Sequence, residues 1–411
     1  MKLGKDVTEL RNSNRAVILA NIYKYGPISK SKLATLGSLS RVTITSILDD
    51  LLKQELIILR PKGRSTGGRQ PGLFELNYQT FFAIGIGIGE SAITGIVINL
   101  KGEILEKETV EYKIEDVNTI SLIAKKSIEI INSLKKKPNL STGKVLGIGI
   151  SFPGTIDPIS GIIYDSPNVN GVGLSLKEIF KKQINIPIFV ENDANAAALG
   201  EYWFGSIMDK DFILYIFAGE GTGCGLVING KIYRGYNHAA ADVGHTVIDI
   251  NGRKCRCGNF GCVETYTSYK SIIRRFEEQI KQGVMSSIDI NEDSQTDVIK
   301  VEMIIEEAKR GDLLALRILE ETGRILGIAC VNLVNLYDPD IVIIGGQLIE
   351  ANELIMNPLE KVVKNRSKKI QRDRLIIAQA KLGPDACTIG AAALVIEDLF
   401  NENNRGLAIN D

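Results

Sequence analysis

Cys255-Arg256-Cys257-Gly258-Asn259-Phe260-Gly261-Cys262-Val263-Glu264, with His245 shortly upstream, is the stretch from which this 411-residue chain is best read. It gathers three of the six cysteines and one of the two histidines. Thiolates and a neutral imidazole are the donors that tetrahedral Zn²⁺ prefers, and three Cys with one His close the shell without an open position. His245, Cys255, Cys257 and Cys262 are therefore the expected ligands of a structural zinc ion. Gly258 and Gly261 permit the tight turns that aim Cys257 and Cys262 at one point. The competing reading, idle buried thiols beside an unrelated histidine, fits a Cys-x-Cys-Gly-x-x-Gly-Cys spacing less well. Cys224, Cys330, Cys387 and His238 show no ligand spacing and read as packing residues.

Working upstream, Gly221-Thr222-Gly223-Cys224-Gly225-Leu226, Gly235 and Gly244-His245 form a spaced glycine series, preceded by Glu191-Asn192-Asp193-Ala194-Asn195-Ala196-Ala197. Together with the cysteine cluster these segments resemble the ROK family of repressors and sugar kinases, over about residues 80 to 400. Ala218 departs from the family pattern, which prefers an aliphatic residue there. The resemblance implies an α/β body with two actin-like (ribonuclease H-like ATPase) lobes. Residues 80–190 would form the first lobe, joined by a returning helix at 386–400. Residues 191–385 would form the second, with the sugar cleft and the zinc site.

The same resemblance implies site residues. Asn168, Asn192, Asp193, His245 and Glu264 match sugar-contacting positions of the family. Asp242 stands where the family usually has Glu, one methylene shorter. His245 would ligate zinc through one ring nitrogen and offer the other to a sugar hydroxyl. Asp193 is the carboxylate that a kinase uses as general base, and a repressor can keep it simply to accept a hydrogen bond. Without the resemblance, Asn192-Asp193 also reads as a helix cap at a strand end.

Composition sets outer limits. A 44% apolar chain of this length can bury a large core and fill two or three domains. No run of apolar residues is long enough to span a bilayer, and the start lacks an apolar signal core. Cysteines spaced for metal then point to a reducing cytoplasm. Net charge is zero, yet residues 1–70 hold thirteen Lys/Arg against five Asp/Glu, so a basic end faces an acidic remainder. That asymmetry points to nucleic acid.

The basic end has a pattern. A helix over Thr8 to Tyr25 stops at Gly26-Pro27, and Ser29 can cap a short helix ending at Gly37. Ser40 can cap a third, whose stripe is Ile44, Ile47, Leu48, Leu51 and Leu52. This is a helix-turn-helix spacing, with Ser40, Arg41, Thr43, Thr45 and Ser46 placed to meet bases and phosphates. Two strands, Leu56 to Arg60 and Leu73 to Leu76, flank a basic Gly-rich tip whose Arg64 and Arg69 could track phosphates or enter a minor groove. Residues 1–76 therefore read as a winged helix-turn-helix domain for double-stranded operator DNA. A protein-docking domain with a basic hairpin is the bland alternative.

ROK kinases carry an Asp and a Gly-Gly-Thr turn in the first hairpin of the body; here Gly87 and Gly89-Glu90-Ser91 stand there. Glu90 would bring negative charge toward a triphosphate, which repels it. The expectation is a sugar-responsive repressor, not an enzyme, acting as a homodimer or higher oligomer. Xylose is the first effector to try, since the resemblance leans to the xylose- and N-acetylglucosamine-repressor types. An active ATP-dependent sugar kinase is the first alternative, and a DNA-binding protein whose body only dimerises is another.

Overall fold

The computed structural model describes residues 7–60, 72–112, 119–140, 143–166, 171–205, 207, 209–288 and 299–401. The head comprises α1 (Val7–Tyr25), β1 (Ile28–Ser29), α2 (Lys30–Gly37), α3 (Arg41–Lys53), β2 (Ile57–Arg60) and β3 (Leu73–Leu76). Ser29 and Ser40 cap α2 and α3, their hydroxyls accepting from the N–H of Lys32 at 3.4 Å and of Thr43 at 3.1 Å. Ile44, Ile47, Leu48 and Leu51 of α3 are buried, as are Ile18, Leu19 and Ile22 of α1 and Leu33 of α2, so one apolar core serves three helices. The antiparallel pair β2–β3 runs from Ile57 opposite Leu76 to Arg60 opposite Leu73, which is the base of the expected wing. Its basic tip, with Arg64 and Arg69, lies outside the described residues. The third strand of this sheet, β1, pairs with β3 and is too short to leave a sequence period.

The body continues with β4 (Phe81–Ile88), β5 (Ala92–Asn99), β6 (Ile104–Glu111), α4 (Thr119–Lys135), β7 (Lys144–Phe152), the short β8 (Thr155–Ile156) and β9 (Ile163–Asp165), α5 (Leu176–Lys181) and β10 (Ile188–Asn192). Then come α6 (Asp193–Phe204), β11 (Phe212–Ala218), β12 (Thr222–Ile228), β13 (Lys231–Ile232), α7 (Glu264–Thr267), α8 (Tyr269–Lys281), α9 (Val301–Arg310) and α10 (Leu313–Tyr337). The chain closes with β14 (Ile341–Gly345), α11 (Glu353–Arg366), α12 (Lys369–Arg372), β15 (Ile376–Gln379) and α13 (Ala386–Leu399). Among the described residues the body forms two five-stranded sheets, ordered β10-β7-β4-β5-β6 and β13-β12-β11-β14-β15. In each, a three-stranded antiparallel meander gains a strand parallel to its first member, β7 beside β4 and β14 beside β11. The sequence shows no repeat to match this duplication.

Contacts divide the chain into two units. One holds Met1–Ser151, Ser175–Val190 and Ala391–Asp411, and so includes both the head and the first sheet. The other holds Phe152–Leu174 and Glu191–Gly390, with the second sheet. Residues 152–174, expected with the first lobe, group with the second instead. Asn192 Nδ2 donates to the Gly154 carbonyl at 3.1 Å, and Asp157 faces His238 at 3.5 Å. The head is joined to its own unit by Asn77 N–H donating to the Leu56 carbonyl at 2.9 Å. Helix α13 begins in the second unit and passes into the first at Ala391. The core of the second unit is Leu214, Ile216, Val342 and Ile344 of the sheet, covered by residues such as Phe276, Leu326 and Leu359 of its helices. No helix among the described residues is long and apolar enough to cross a membrane.

Candidate metal centre and ligand site

The loop after β13 turns at Gly244, where an added Cβ would lie 2.0 Å from the Thr222 carbonyl oxygen, and delivers His245. From there the chain forms a small hairpin, with isolated bridges between Val247 and Cys262 and between Lys254 and Phe260. Gly258 and Gly261 take φ of +94° and +66°, the left-handed region that L side chains avoid. At Gly261 a Cβ would also fall 1.6 Å from the Asp249 carbonyl oxygen, so both the turn and the close approach require glycine.

This folding draws the donor atoms of His245, Cys255, Cys257 and Cys262 to within 4.8 Å of one another. Cys257 Sγ and Cys262 Sγ are 3.7 Å apart, and Cys255 Sγ lies 3.5 Å from His245 Nδ1. Tetrahedral zinc with ordinary bond lengths would set such pairs at about 3.8 Å and about 3.5 Å. The four residues therefore fit a zinc ion, and they do so with Nδ1 of His245, leaving Nε2 as the other ring nitrogen.

The expected sugar residues fall in the same unit. Glu264, buried at the start of α7, is gripped by Arg256 through Nε at 2.9 Å and Nη2 at 3.1 Å, and also accepts from the Thr222 N–H at 3.4 Å. Asp242 belongs to this neighbourhood: loss of hydration raises its carboxyl, His245 and Arg256 pull it back, and Glu264 and Asp165 push it up. Asn168 lies outside the described residues. The turn at Gly221 connects this cluster to a second one, since Gly221 abuts Glu264 while Gly223 abuts Ala194.

The second cluster is the end of β10 and the start of α6. Asn192 Oδ1 caps α6 by accepting from Asn195 N–H at 3.1 Å, while its Nδ2 donates to Gly154 O at 3.1 Å and Asp193 Oδ1 at 3.0 Å. The cap uses only the Asn192 Oδ1, while its Nδ2 ties Gly154 to the Asp193 carboxylate. Asp193 Oδ1 also accepts from Ala194 N–H at 2.8 Å. Among the described residues no hydrogen bond is made by Oδ2. Burial lifts the Asp193 carboxyl to about 6; the bonds from Ala194 and Asn192 pull it down and the charge of Glu220 adds to the rise.

Some participants carry no sequence signal. Arg256 is visible only as the residue between two cysteines. The pair Arg234–Glu191, 2.7 Å through Nε, joins residues far apart in the chain. In the first unit the hairpin carrying Gly87 and Glu90 is a closed turn: Gly89 N–H donates to Ala92 O at 2.9 Å and the Tyr112 hydroxyl to Gly89 O at 2.5 Å. On α3, Arg41 and Ser46 are exposed, whereas Thr43 bonds to Ser40 and Thr45 donates back to the Arg41 carbonyl at 2.6 Å. Val42, passed over in the sequence, is 79% exposed at this helix start.

Comparison with known proteins gives two family matches, ROK over residues 83–398 and MarR over residues 12–62. A xylose repressor of Caldicellulosiruptor bescii is 34% identical over 395 residues, covering 96% of this chain and 98% of its own. An N-acetylglucosamine repressor of Escherichia coli O6:H1 is 28% identical over 397 residues, covering 96% and 95%. Among solved structures, a ROK family transcriptional regulator described as a homolog of the E. coli MLC protein matches with TM-score 0.83 and 26% identity, over 97% of this chain and 98% of that one. A ROK family glucokinase of Streptomyces griseus, in complex with glucose and AMPPNP, matches with TM-score 0.66 and 28% identity, over 76% of this chain and 98% of that one.

Proposed function

The chain belongs to the ROK family, and from that premise we propose that it is a transcriptional repressor of sugar-utilisation genes whose operator binding is set by a sugar held in the second unit. The observation that carries this reading is the head. A capped three-helix core with a wing base precedes the body, and the repressor and regulator relatives cover 96% and 97% of the chain while the glucokinase covers 76%. Gly87 and the closed, Glu90-bearing turn support a body that does not hold ATP, so the chain is read as no enzyme.

In this reading Asp193, Asp242, His245 Nε2 and Glu264 supply acceptors and a donor for sugar hydroxyls, with Asn192 positioning Asp193 and Arg256 positioning Glu264. Asn168 joins them by resemblance. Zinc, when bound by His245, Cys255, Cys257 and Cys262, acts structurally, fixing the His245 ring. The protein works in the cytoplasm as a homodimer that sets two heads on paired half-sites. Sugar need supply only about 1–3 kcal/mol of coupling to change operator affinity 5–150-fold.

The test is a panel of aldoses and amino sugars, xylose first, N-acetylglucosamine and glucose next, scored for release of operator DNA and for sugar-dependent ATP hydrolysis. Release by one sugar without hydrolysis is expected. Phosphorylated sugar in the reaction sinks the repressor-only reading.

Four substitutions should separate phosphate from base contacts. Arg41→Ala should weaken all DNA binding and lower the salt slope by about one ion. Arg64→Ala and Arg69→Ala should do likewise. Val42→Ala should instead reduce discrimination at one base pair by about 1 kcal/mol, leaving the slope alone, if its methyls meet a thymine methyl. A Val42→Ala protein with an unchanged binding-site profile removes that contact.

A further inference from the structure

We infer that Arg234 is a positioning residue of the sugar site, an inference that rests on the sugar reading above. The buried Glu191 carboxylate, whose residue is 2% exposed, divides its two oxygens between two parts of the site. Oε1 accepts from Asn192 N–H at 3.0 Å and Asn195 Nδ2 at 3.2 Å, which fixes the turn presenting Asp193. Oε2 accepts from Arg234 Nε at 2.7 Å. Arg234 opens the loop that ends in Asp242 and His245. One carboxylate therefore sets the spacing between the Asp193 turn and the segment carrying the other sugar-facing groups.

The loop has reason to need this anchor. Its His238 and Ala241 adopt φ of +59° and +63°, conformations that cost non-glycine residues energy and persist only where surroundings enforce them. Ala240 N–H donates to the Arg234 carbonyl at 3.1 Å, closing the loop upon the arginine. Its far side is held by His238 Nε2 at 3.5 Å from Asp157. Removing Arg234 leaves a buried carboxylate without its cation and a turned loop without one of its two side-chain anchors. The backbone hydrogen bonds of β12 and β13 do not depend on either.

The experiment compares full-length wild type, Arg234→Ala, Arg234→Lys, Glu191→Gln and the Arg234→Ala/Glu191→Gln double variant. Binding of xylose, N-acetylglucosamine and glucose is measured by calorimetry, beside zinc content and operator affinity without sugar. Arg234→Ala should bind the wild type's preferred sugar about tenfold or more weakly, with zinc and operator affinity at wild-type levels. Arg234→Lys should recover most of the loss by restoring a cation. The double variant should lose less than the sum of the singles, because the neutral amide introduced by Glu191→Gln needs no counter-ion. If Arg234→Ala fails to fold, Arg234→Lys and Glu191→Gln are read alone, and wild-type sugar affinity in both overturns the proposal. Wild-type affinity in Arg234→Ala also overturns it, as does a loss that zinc content and operator affinity share equally. A wild type that binds none of the three sugars sinks the sugar reading, and this inference with it.

Discussion

Asp193→Asn should yield a repressor that holds its operator normally but answers sugar only at concentrations raised about tenfold or more. The carboxylate has one oxygen committed to Ala194 and Asn192, and its other oxygen makes no hydrogen bond among the described residues. A sugar hydroxyl donating to that oxygen makes a charge-assisted bond, worth about 1.5–3 kcal/mol, which a neutral amide cannot replace. The head lies in the other unit, so unliganded operator affinity should not change. Equal sugar sensitivity in the two proteins removes Asp193 from the site.

The same substitution should stabilise the protein at neutral pH. Folding raises the Asp193 carboxyl from 3.8 to about 6, so between those values the unfolded chain has lost its proton while the folded one keeps it. Folded stability therefore falls as pH rises through this window, by up to about 3 kcal/mol, and stays lowered above it. The uncharged amide of the Asp193→Asn variant carries no such penalty. Its advantage should be about 1–3 kcal/mol at pH 8 and vanish near pH 4, as read from denaturant midpoints. Wild-type sugar affinity should weaken below about pH 6 as the acceptor gains its proton, and the variant should lose this part of the pH dependence. Together these traits mark a carboxylate retained for binding at the expense of stability.

Local chemistry was legible in the sequence where it is local in the chain. The His/Cys cluster that could hold a metal, the glycine turns within it, the two serine caps and the α3 stripe each depend on neighbours a few residues away, and the four donor atoms do come together. What joins distant segments was not legible. Glu191–Arg234 and Asn192–Gly154 are pairs that only the assembled fold creates, and the second of them ties residues 152–174 to the second unit. The duplicated sheet topology escaped for a related reason. A meander and its parallel neighbour constrain only where apolar strands fall, so two copies can diverge fully in sequence while keeping strand order. Val42 escaped because an apolar residue at a helix start looks like core until its exposure is known.

Cys257→Ser should give a protein that still represses but no longer responds to sugar. Cys257 is the exposed member of the four-residue cluster, so its thiol contributes little to packing and its removal chiefly deletes a ligand. The wild type should carry about one zinc ion per chain, and the serine variant much less, since three ligands from a short hairpin bind far more weakly than four. Apparent zinc affinities in small metal-dependent domains reach about 10–16 kcal/mol. Here most of the second unit rests on its buried core, so loss should centre on the loop of residues 245–264. That loop bears His245 and Glu264 and the Arg256 that grips Glu264, and the sugar response should go with it. Chelation of wild-type protein should reproduce the effect and added zinc reverse it, whereas added zinc should not rescue Cys257→Ser. Cys330→Ala, which changes a core cysteine away from the cluster, should keep its zinc even as its stability falls. Freshly purified wild type without zinc removes the metal centre. Zinc loss with an intact sugar response would instead separate the metal from the ligand site and leave His245 a ligand to zinc alone.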